Sequence, residues 1–578
     1  MKKVWKRIRI ETYIVSMPGM LDGLNEAQRE AVTATEGRVL VVAGPGTGKT
    51  LTIVRRIAHL MEQGVRPEEI LAVTFTNRAA REMRERIHAL IGARDAGMFI
   101  GTFHLLGLKL MRASVGEPFT ICGRDEQLAL LKPVVGSAAK ALDAAERISR
   151  FKNDVEPLDG ETEAVFAVYE TSLRERGMRD FDDLIRVPAG LLGTGGEAGP
   201  PGSFRHIIVD EYQDISPAQY RLLKGLVGRD STLCAVGDSD QAIYAFRGAD
   251  LQNFLNFQAD FPAAHTVVLQ ENYRSTAMVL GAADAVIKHN RRRIEKSISP
   301  RREGGSSVTV VSAPDERSEA ESIVREIEAR VGGTSHYRLA GAKAAKDFEA
   351  TSCSFADFAV LFRTNAQARV IREAFDEWGI PCQVVGDRHA LNGKALIDRL
   401  RAHLDTLPPK LDVAEFLRGV WQEAVAGGAA QGLIETLAAA YGHLPPREAI
   451  TEIINELSLL TGLDAYDPRA DAVTLLTMHA AKGLEFSVVF ITGVEEGLIP
   501  YTLAKNDADI EEERRLFYVG MTRAKDELFL LHARNRFIYG QRRAASPSSF
   551  LAAIPKEFVR QQMVSDRAKR KAKQEGLF

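Results

Sequence analysis

The stretch Ala43-Gly44-Pro45-Gly46-Thr47-Gly48-Lys49-Thr50 constrains this chain more than any other. It follows an apolar run at residues 39–43 and opens an amphipathic run at 51–61, so it is a strand-to-helix turn. Glycine at every second position lets successive backbone N–H groups close around a phosphate at a helix N-terminus. Lys49 then reaches the β/γ oxygens and Thr50 offers a hydroxyl to Mg²⁺. By residue frequencies the pattern arises in roughly a few per cent of chains this long, and the flanking strand and helix make it specific. The chain is expected to be a parallel α/β protein that binds a nucleoside triphosphate.

The same alternation continues. Apolar runs at 70–75, 207–209, 233–236, 266–269, 308–311, 359–362, 473–476, 488–492 and 527–531 read as buried strands in two groups, with amphipathic helices such as 77–91 between them. Two mainly helical blocks, about 105–186 and 391–471, interrupt the strands, and residues 190–202 and 332–354 read as loops. Ile207-Ile208-Val209-Asp210-Glu211 is a buried strand ending in two carboxylates. Beside a phosphate loop, Asp210 suits the Mg²⁺ shell and Glu211 the polarisation of an attacking water.

The 578 residues allow about four compact units. A formal net charge of −2 argues against a protein whose whole surface neutralises nucleic acid, but a local groove fits within that balance. Four scattered cysteines form neither a disulfide framework nor a metal motif, so a reduced, cytoplasmic protein is expected. No apolar run approaches the roughly 18–20 residues that cross a bilayer, so no membrane partner is expected.

Further segments narrow the reading: Asp210-Glu211-Tyr212-Gln213-Asp214, Gly237-Asp238-Ser239-Asp240-Gln241, Tyr244-Ala245-Phe246-Arg247-Gly248-Ala249 and Gln270-Glu271-Asn272-Tyr273-Arg274-Ser275. Later come Thr477-Met478-His479-Ala480-Ala481-Lys482-Gly483-Leu484-Glu485-Phe486 and Arg515-Leu516-Phe517-Tyr518-Val519-Gly520-Met521-Thr522-Arg523-Ala524. In this order, across residues 24–550, the chain resembles the UvrD/Rep/PcrA-like superfamily 1A DNA helicases.

That resemblance implies two RecA-like P-loop NTPase domains with mainly helical insertions, called 1B and a reduced 2B. It divides the chain into a basic extension (1–20), domain 1A (21–104 and 187–270), insertion 1B (105–186), domain 2A (271–390 and 472–555), insertion 2B (391–471) and a basic tail (556–578). It implies ATP and Mg²⁺, with Ala43 to Thr50, Gln28, Tyr273 and Glu485 around the nucleotide, and Thr50 and Asp210 on the metal. Glu211, Gln241, Arg274 and Arg523 take catalytic roles, the two arginines reaching the γ-phosphate from the second domain. Members often carry an Arg just after the P-loop threonine; here it is Leu51, and Arg55 is the candidate substitute.

It further implies a single-strand DNA track of Phe75, Thr76, Asn77, Thr102, His104, Tyr244, Phe246, Arg247, Arg363, Asn365, His479 and Tyr539, because every base offers a face to an aromatic ring. Phe246 stands where Trp is more usual. The expected function is an ATP-dependent 3′–5′ DNA helicase and translocase acting on single strands and single/double-strand junctions in repair, replication or recombination. The alternative, favoured by the reduced 2B insertion, is a single-strand-stimulated translocase that remodels protein–DNA complexes with little unwinding. The ending Gln574-Glu575-Gly576-Leu577-Phe578 resembles a peptide that enters the sliding clamp, which makes the clamp a candidate partner.

Overall fold

The computed structural model describes residues 19–565 except 96, 115–117, 194–203, 332–352, 386–392, 405, 409, 425–430, 460–465, 503–508 and 539. Two parallel sheets organise it. The first has the strand order Phe99–Thr102, Ile70–Thr74, His206–Val209, Thr232–Gly237, Arg38–Ala43, His265–Leu269. Helices cover both faces, and strand residues on each side are therefore apolar without a period-two alternation. In Arg38–Ala43, Leu40 and Val42 pack on one face with Val73, Ile207 and Val209. Val39 and Val41 pack on the other with Ile53, Ile57 and Ile208.

The strand Thr232–Gly237 lies between Arg38–Ala43 and His206–Val209. Three strand ends, those leading into Gly44, Asp238 and Asp210, therefore open side by side at the carboxyl edge of the sheet, where open α/β sheets bind their ligands.

The second sheet runs Cys382–Val384, Val473–Thr477, Phe358–Phe362, Phe486–Ile491, Ala524–Ile538, Val308–Asp315, Val559–Met563, with Gln541–Ala544 antiparallel on Ala524–Ile538. Between the sheets, Glu271–Thr276 pairs with Ser299–Arg302. The first helical block holds the helices Phe103–Ser114, Arg124–Val135, Ala138–Lys152, Gly160–Glu175 and Asp183–Gly193 and a ribbon of Thr120–Cys122 with Met178–Asp180. The second holds Gly393–His403, Val413–Ala424, Gln431–Tyr441 and Pro446–Ser458, closed around Leu400, Leu417, Ile450 and Ile453.

The structure corrects one expectation: the tail does not begin at Lys556. Val559–Met563 is an edge strand paired with Val308 to Ser312. An edge strand needs few apolar residues, and Val-Arg-Gln-Gln-Met hid it. Phe99–Thr102 and Cys382–Val384 were likewise unforeseen, being only four and three residues long. Tyr539 and residues 566–578, the clamp-like ending included, lie outside the described residues. Among the described residues, no helix is long and apolar enough to cross a membrane.

Candidate nucleotide site and adjoining aromatic track

The P-loop turns through two left-handed glycines, Gly46 (φ 66°) and Gly48 (φ 87°), into the helix Lys49–Glu62. Both are closely approached: a Cβ at Gly46 would lie 2.6 Å from Arg274 Cβ, and one at Gly48 2.6 Å from Gln28 Nε2. Lys49 Nζ donates to the carbonyls of Ala43 (2.9 Å) and Gly44 (3.2 Å). Burial lowers its pKa, against the pull of Glu211, Asp238 and Asp210. Thr50 follows at the head of the same helix. Gln28 is buried; its amide donates to Thr47 O (3.0 Å), and its carbonyl accepts from Asn25 N (3.2 Å) in a capping box.

Asp210 and Glu211 leave the strand His206–Val209 with different electrostatics. Burial and the neighbouring Glu211 charge raise the Asp210 carboxyl. Burial works on Glu211 too, but Lys482 and Lys49 outweigh it and hold its carboxyl low, so it stays ionised. Glu211 is also one of two non-glycine residues at positive φ among those described (52°), a strained turn of the kind that concentrates at functional sites. Gln213 donates to Glu211 Oε2 (2.5 Å), and Lys482 Nζ lies 3.4 Å from the same oxygen while also bonding Asp214 and Gln241 O.

Gln241 joins the two sheets. Its Nε2 donates to Asp238 Oδ2 (2.7 Å) on the first-sheet side, and its Oε1 accepts from Arg523 Nη2 (3.4 Å) on the second. Asp238 is held by Lys296 at 2.6 Å. Arg523 is 2% exposed, and its guanidinium bonds are all to neutral oxygens: Val519 O, Leu484 O, Thr522 Oγ1 and Gln241 Oε1. Burial, then the Arg274 charge, lowers its pKa to about 9. Arg274 donates to Glu485 Oε2 (2.6 Å), and Lys525 pairs with Glu485 at 2.9 Å. Tyr273 is half exposed; its hydroxyl donates to Glu271 and accepts from Asn25, and its N–H bonds Gly46 O. The predicted nucleotide residues thus converge on one cleft.

Sequence reasoning missed three buried groups there. Asn272 donates to Pro45 O (2.6 Å) and accepts from the backbone of Arg274 and Ser275, so it ties the phosphate loop to the inter-sheet crossing. Lys482 bridges Glu211, Asp214 and Gln241, and Lys296 holds Asp238. Asn272 and Lys482 lie inside quoted motifs; Lys296 lies in no motif and left no local signal. Arg55 lies one turn beyond the exposed Leu51, and its Nη1 is buried with no hydrogen-bond partner.

The aromatic residues gather beside the cleft. Phe75 stacks on Tyr244 with centroids 4.4 Å apart. Phe246 is 60% exposed, with the His479 ring 5.2 Å away edge-on and the Arg247 guanidinium 5.6 Å from its centroid. His104 sits against Phe181. Burial, then Arg247, brings the His104 pKa down to about 4, and burial with Arg363, Arg247 and Lys482 takes His479 to about 3, so both are neutral at pH 7. Asn365 is exposed.

Four predicted contacts are engaged internally. Thr76 and Thr102 hydroxyls accept from Ala79 N and Leu105 N at helix starts. Asn77 donates to Leu459 O (2.9 Å), and Arg363 forks onto Glu513 (2.7 and 3.1 Å).

Comparison with known proteins agrees with this geometry. The UvrD/REP helicase N-terminal domain profile matches residues 24–262, and the UvrD-like helicase C-terminal domain profile matches 267–441 and 431–535. The ATP-dependent DNA helicase PcrA of Leuconostoc citreum is 34% identical over 667 residues, covering 94% of this chain and 86% of the relative. That of Staphylococcus aureus strain Mu50 is 32% identical over 661 residues, covering 94% and 88%. A phosphate loop, paired carboxylates and arginines brought from outside the first sheet are what an ATP-driven motor on DNA requires, and with these matches the chain belongs to the UvrD/PcrA-like DNA helicases, ATP-hydrolysing enzymes built on two RecA-like domains.

Proposed function

We propose that this helicase moves 3′–5′ along single-stranded DNA, acting on single strands and single/double-strand junctions in repair, replication or recombination in the cytoplasm. The observation that carries the motor reading is Arg523: a buried guanidinium at the cleft whose hydrogen bonds all go to neutral oxygens, so that no carboxylate bonds it directly, as a γ-phosphate partner needs.

In this reading the P-loop N–H groups and Lys49 hold the phosphates, and Lys49 exchanges its two carbonyl partners for phosphate oxygens. Thr50, in the first turn of the helix Lys49–Glu62, and Asp210, just past the strand His206–Val209, are hard oxygen donors that would hold Mg²⁺, which when bound neutralises phosphate charge. Glu211, kept ionised by Lys482 and Lys49, accepts a proton from the attacking water. Arg274 leaves Glu485 to join Arg523 on the γ-phosphate. Tyr273 and Gln28 take the adenine, Glu485 the ribose, and Arg55 substitutes for the arginine absent at Leu51. Gln241, bonded to both sheets, reports phosphate occupancy to the aromatic track, where Tyr244 and Phe246 stack on bases and Arg247 meets the backbone.

The test is ATP turnover with and without single-stranded DNA, for the wild type and Glu211→Gln. DNA should stimulate the wild type at least tenfold on the order expected for a DNA-coupled motor, and Glu211→Gln should be inactive while still binding ATP; a Glu211→Gln enzyme with stimulated turnover sinks the assignment.

A second reading has one specific support. Among the described residues, the second insertion is a four-helix unit docked on the first, which suits a translocase that strips proteins from DNA with little unwinding. Strand displacement on a 3′-tailed duplex, measured beside translocation on single strands, separates the two. The sliding clamp remains a proposed partner through Gln574, Leu577 and Phe578, tested by clamp pull-down with residues 574–578 deleted.

A further inference from the structure

The helix Ile510–Met521 touches both functional regions. Past its C-terminal end, Thr522 leads into Arg523 at the nucleotide cleft. In its first turn, Glu512 Oε1 accepts the Ala245 N–H at 2.9 Å. Ala245 begins the short turn Ala245–Arg247, between Tyr244 and Phe246. Twelve helical residues span about 18 Å, so one rigid element reaches from the phosphate-facing arginine to the backbone that presents the stacking rings.

The helix is anchored to the second domain along its length. Leu516, Phe517, Tyr518 and Val519 are buried in that domain's core. Asp509 caps the first turn by accepting from the N–H groups of Glu511 and Glu512, Glu513 forks onto Arg363 and accepts Tyr501 N, and Asn290 donates to Glu511 O. Glu512 is the exception in that turn: its carboxylate crosses to the first domain. Beside it lies a cavity of about 90 Å³ lined by Tyr244, Ala245, Asp250, Asp509, Glu512 and Arg515, which leaves the Ala245 turn room to shift.

We propose that Glu512 is a positioning residue that couples nucleotide occupancy to the grip on DNA: when Arg523 moves onto a phosphate, the helix carries Glu512 with it, and the bond to Ala245 N re-aims Tyr244 and Phe246. The proposal rests on the motor reading above. It needs an acceptor oxygen at this position and no charge, since the donor is a backbone N–H.

The experiment compares the affinity of the full-length protein for fluorescein-labelled oligo(dT) with and without a non-hydrolysable ATP analogue, alongside basal ATP turnover. The ratio of the two affinities measures the coupling. Glu512→Ala should shrink that ratio by about fivefold or more, the scale of a typical coupling energy, with basal turnover within about twofold of wild type. Glu512→Gln keeps an acceptor and should keep the ratio. Glu512→Leu, which retains volume without an acceptor, replaces the alanine variant if that one does not fold. An alanine or leucine variant with the wild-type ratio, or a glutamine variant that loses it, overturns the proposal. A wild type whose DNA affinity ignores nucleotide and whose turnover ignores DNA refutes the motor reading itself, a different result.

Discussion

Phe75 stacks face to face on Tyr244, with ring centroids 4.4 Å apart and planes 24° from parallel. No base fits between rings at that distance, so this pocket is closed, while Phe246 beside it stands open to solvent. The two rings come from different loops of the first sheet, after Ile70–Thr74 and after Thr232–Gly237, so a shift of either loop opens the pocket. Tyr244→Ala removes one stacking face and should weaken oligo(dT) binding by about 1–3 kcal/mol. Phe246→Trp should tighten it, because the larger ring covers more of a base. Fluorescence anisotropy checks both, and unchanged affinity in Tyr244→Ala would remove the ring from the track.

Charge in the track comes from arginine and not from histidine. Burial keeps His479 and His104 neutral at pH 7, whereas Arg247 is exposed beside two rings. Each cation on a phosphate releases about one counterion and sets the salt slope of binding. Arg247→Ala should therefore lower the slope of log K against log salt by about one unit. His479→Gln should leave the slope alone even if affinity falls. Titrations between low and moderate salt decide; a lower slope in His479→Gln would mean the imidazole is charged when DNA is bound.

The same burial makes His104 a source of acid sensitivity. Its ordinary pKa of about 6.5 applies in the unfolded chain, and its folded value is depressed to about 4 by burial and then by Arg247. Its contribution to stability is present above pH 6.5 and is lost as pH falls toward 4, because the unfolded state then binds a proton that the folded state refuses. His104→Gln should flatten urea midpoints between pH 7.5 and 5 relative to wild type; identical pH dependence in both proteins would show that His104 is not protected.

How much of this was legible in the sequence depended on whether a residue's role is local. The P-loop, the Asp210-Glu211 strand end and the Tyr244 turn carry chemistry within a few consecutive residues, and the central strands are unmistakable because parallel sheets bury both faces. Lys296, by contrast, acquires its partners Asp238 and Asp240 only when a segment 56 residues away in sequence folds across the first sheet, and nothing near it distinguishes it from a surface lysine. Arg363 likewise has a partner that its neighbours in sequence do not announce: Glu513, 150 residues on, accepts from its guanidinium. The strand Val559–Met563 escaped because the sheet's edge asks so little of its sequence.

Lys152 is a second residue whose role only the fold discloses. It is fully buried in the first insertion, with its ammonium 2.6 Å from Glu170, 2.8 Å from Asp180 and 2.7 Å from Asp183. The three carboxylates are close enough together to hold a cation, and the lysine is that cation. Lys152→Met would leave buried negative charge unpaired, a loss of about 3–5 kcal/mol in comparable ion clusters. The first insertion should then melt well below the remainder, seen as an early transition in calorimetry; a single unshifted transition would mean the acids take up protons at little cost.

A buried amide lies in the contact between the two insertions. Asn455, 1% exposed, accepts from Ile121 N (3.0 Å) and donates to Phe119 O (3.1 Å), supplying to the ribbon strand Thr120–Cys122 the bonds a further strand would supply. Arg401 adds a bond to Ile121 O (2.7 Å) and an ion pair with Glu126, and Leu459 packs among Leu108, Met111, Ile121 and Leu184. Asn455→Ala would strand the Ile121 N–H in an apolar contact, at a cost of about 1–3 kcal/mol. That is enough to shift a docked unit toward undocking by one to two orders of magnitude. Dyes placed on the exposed positions Lys140 and Glu448 should report a single narrow transfer efficiency in the parent protein and a broadened or second population in Asn455→Ala. If the distribution stays narrow while Arg401→Ala broadens it, the Arg401 contacts outweigh the amide in holding the insertions together; if docking restrains unwinding, the undocked variant should also displace strands at a different rate per ATP than its parent.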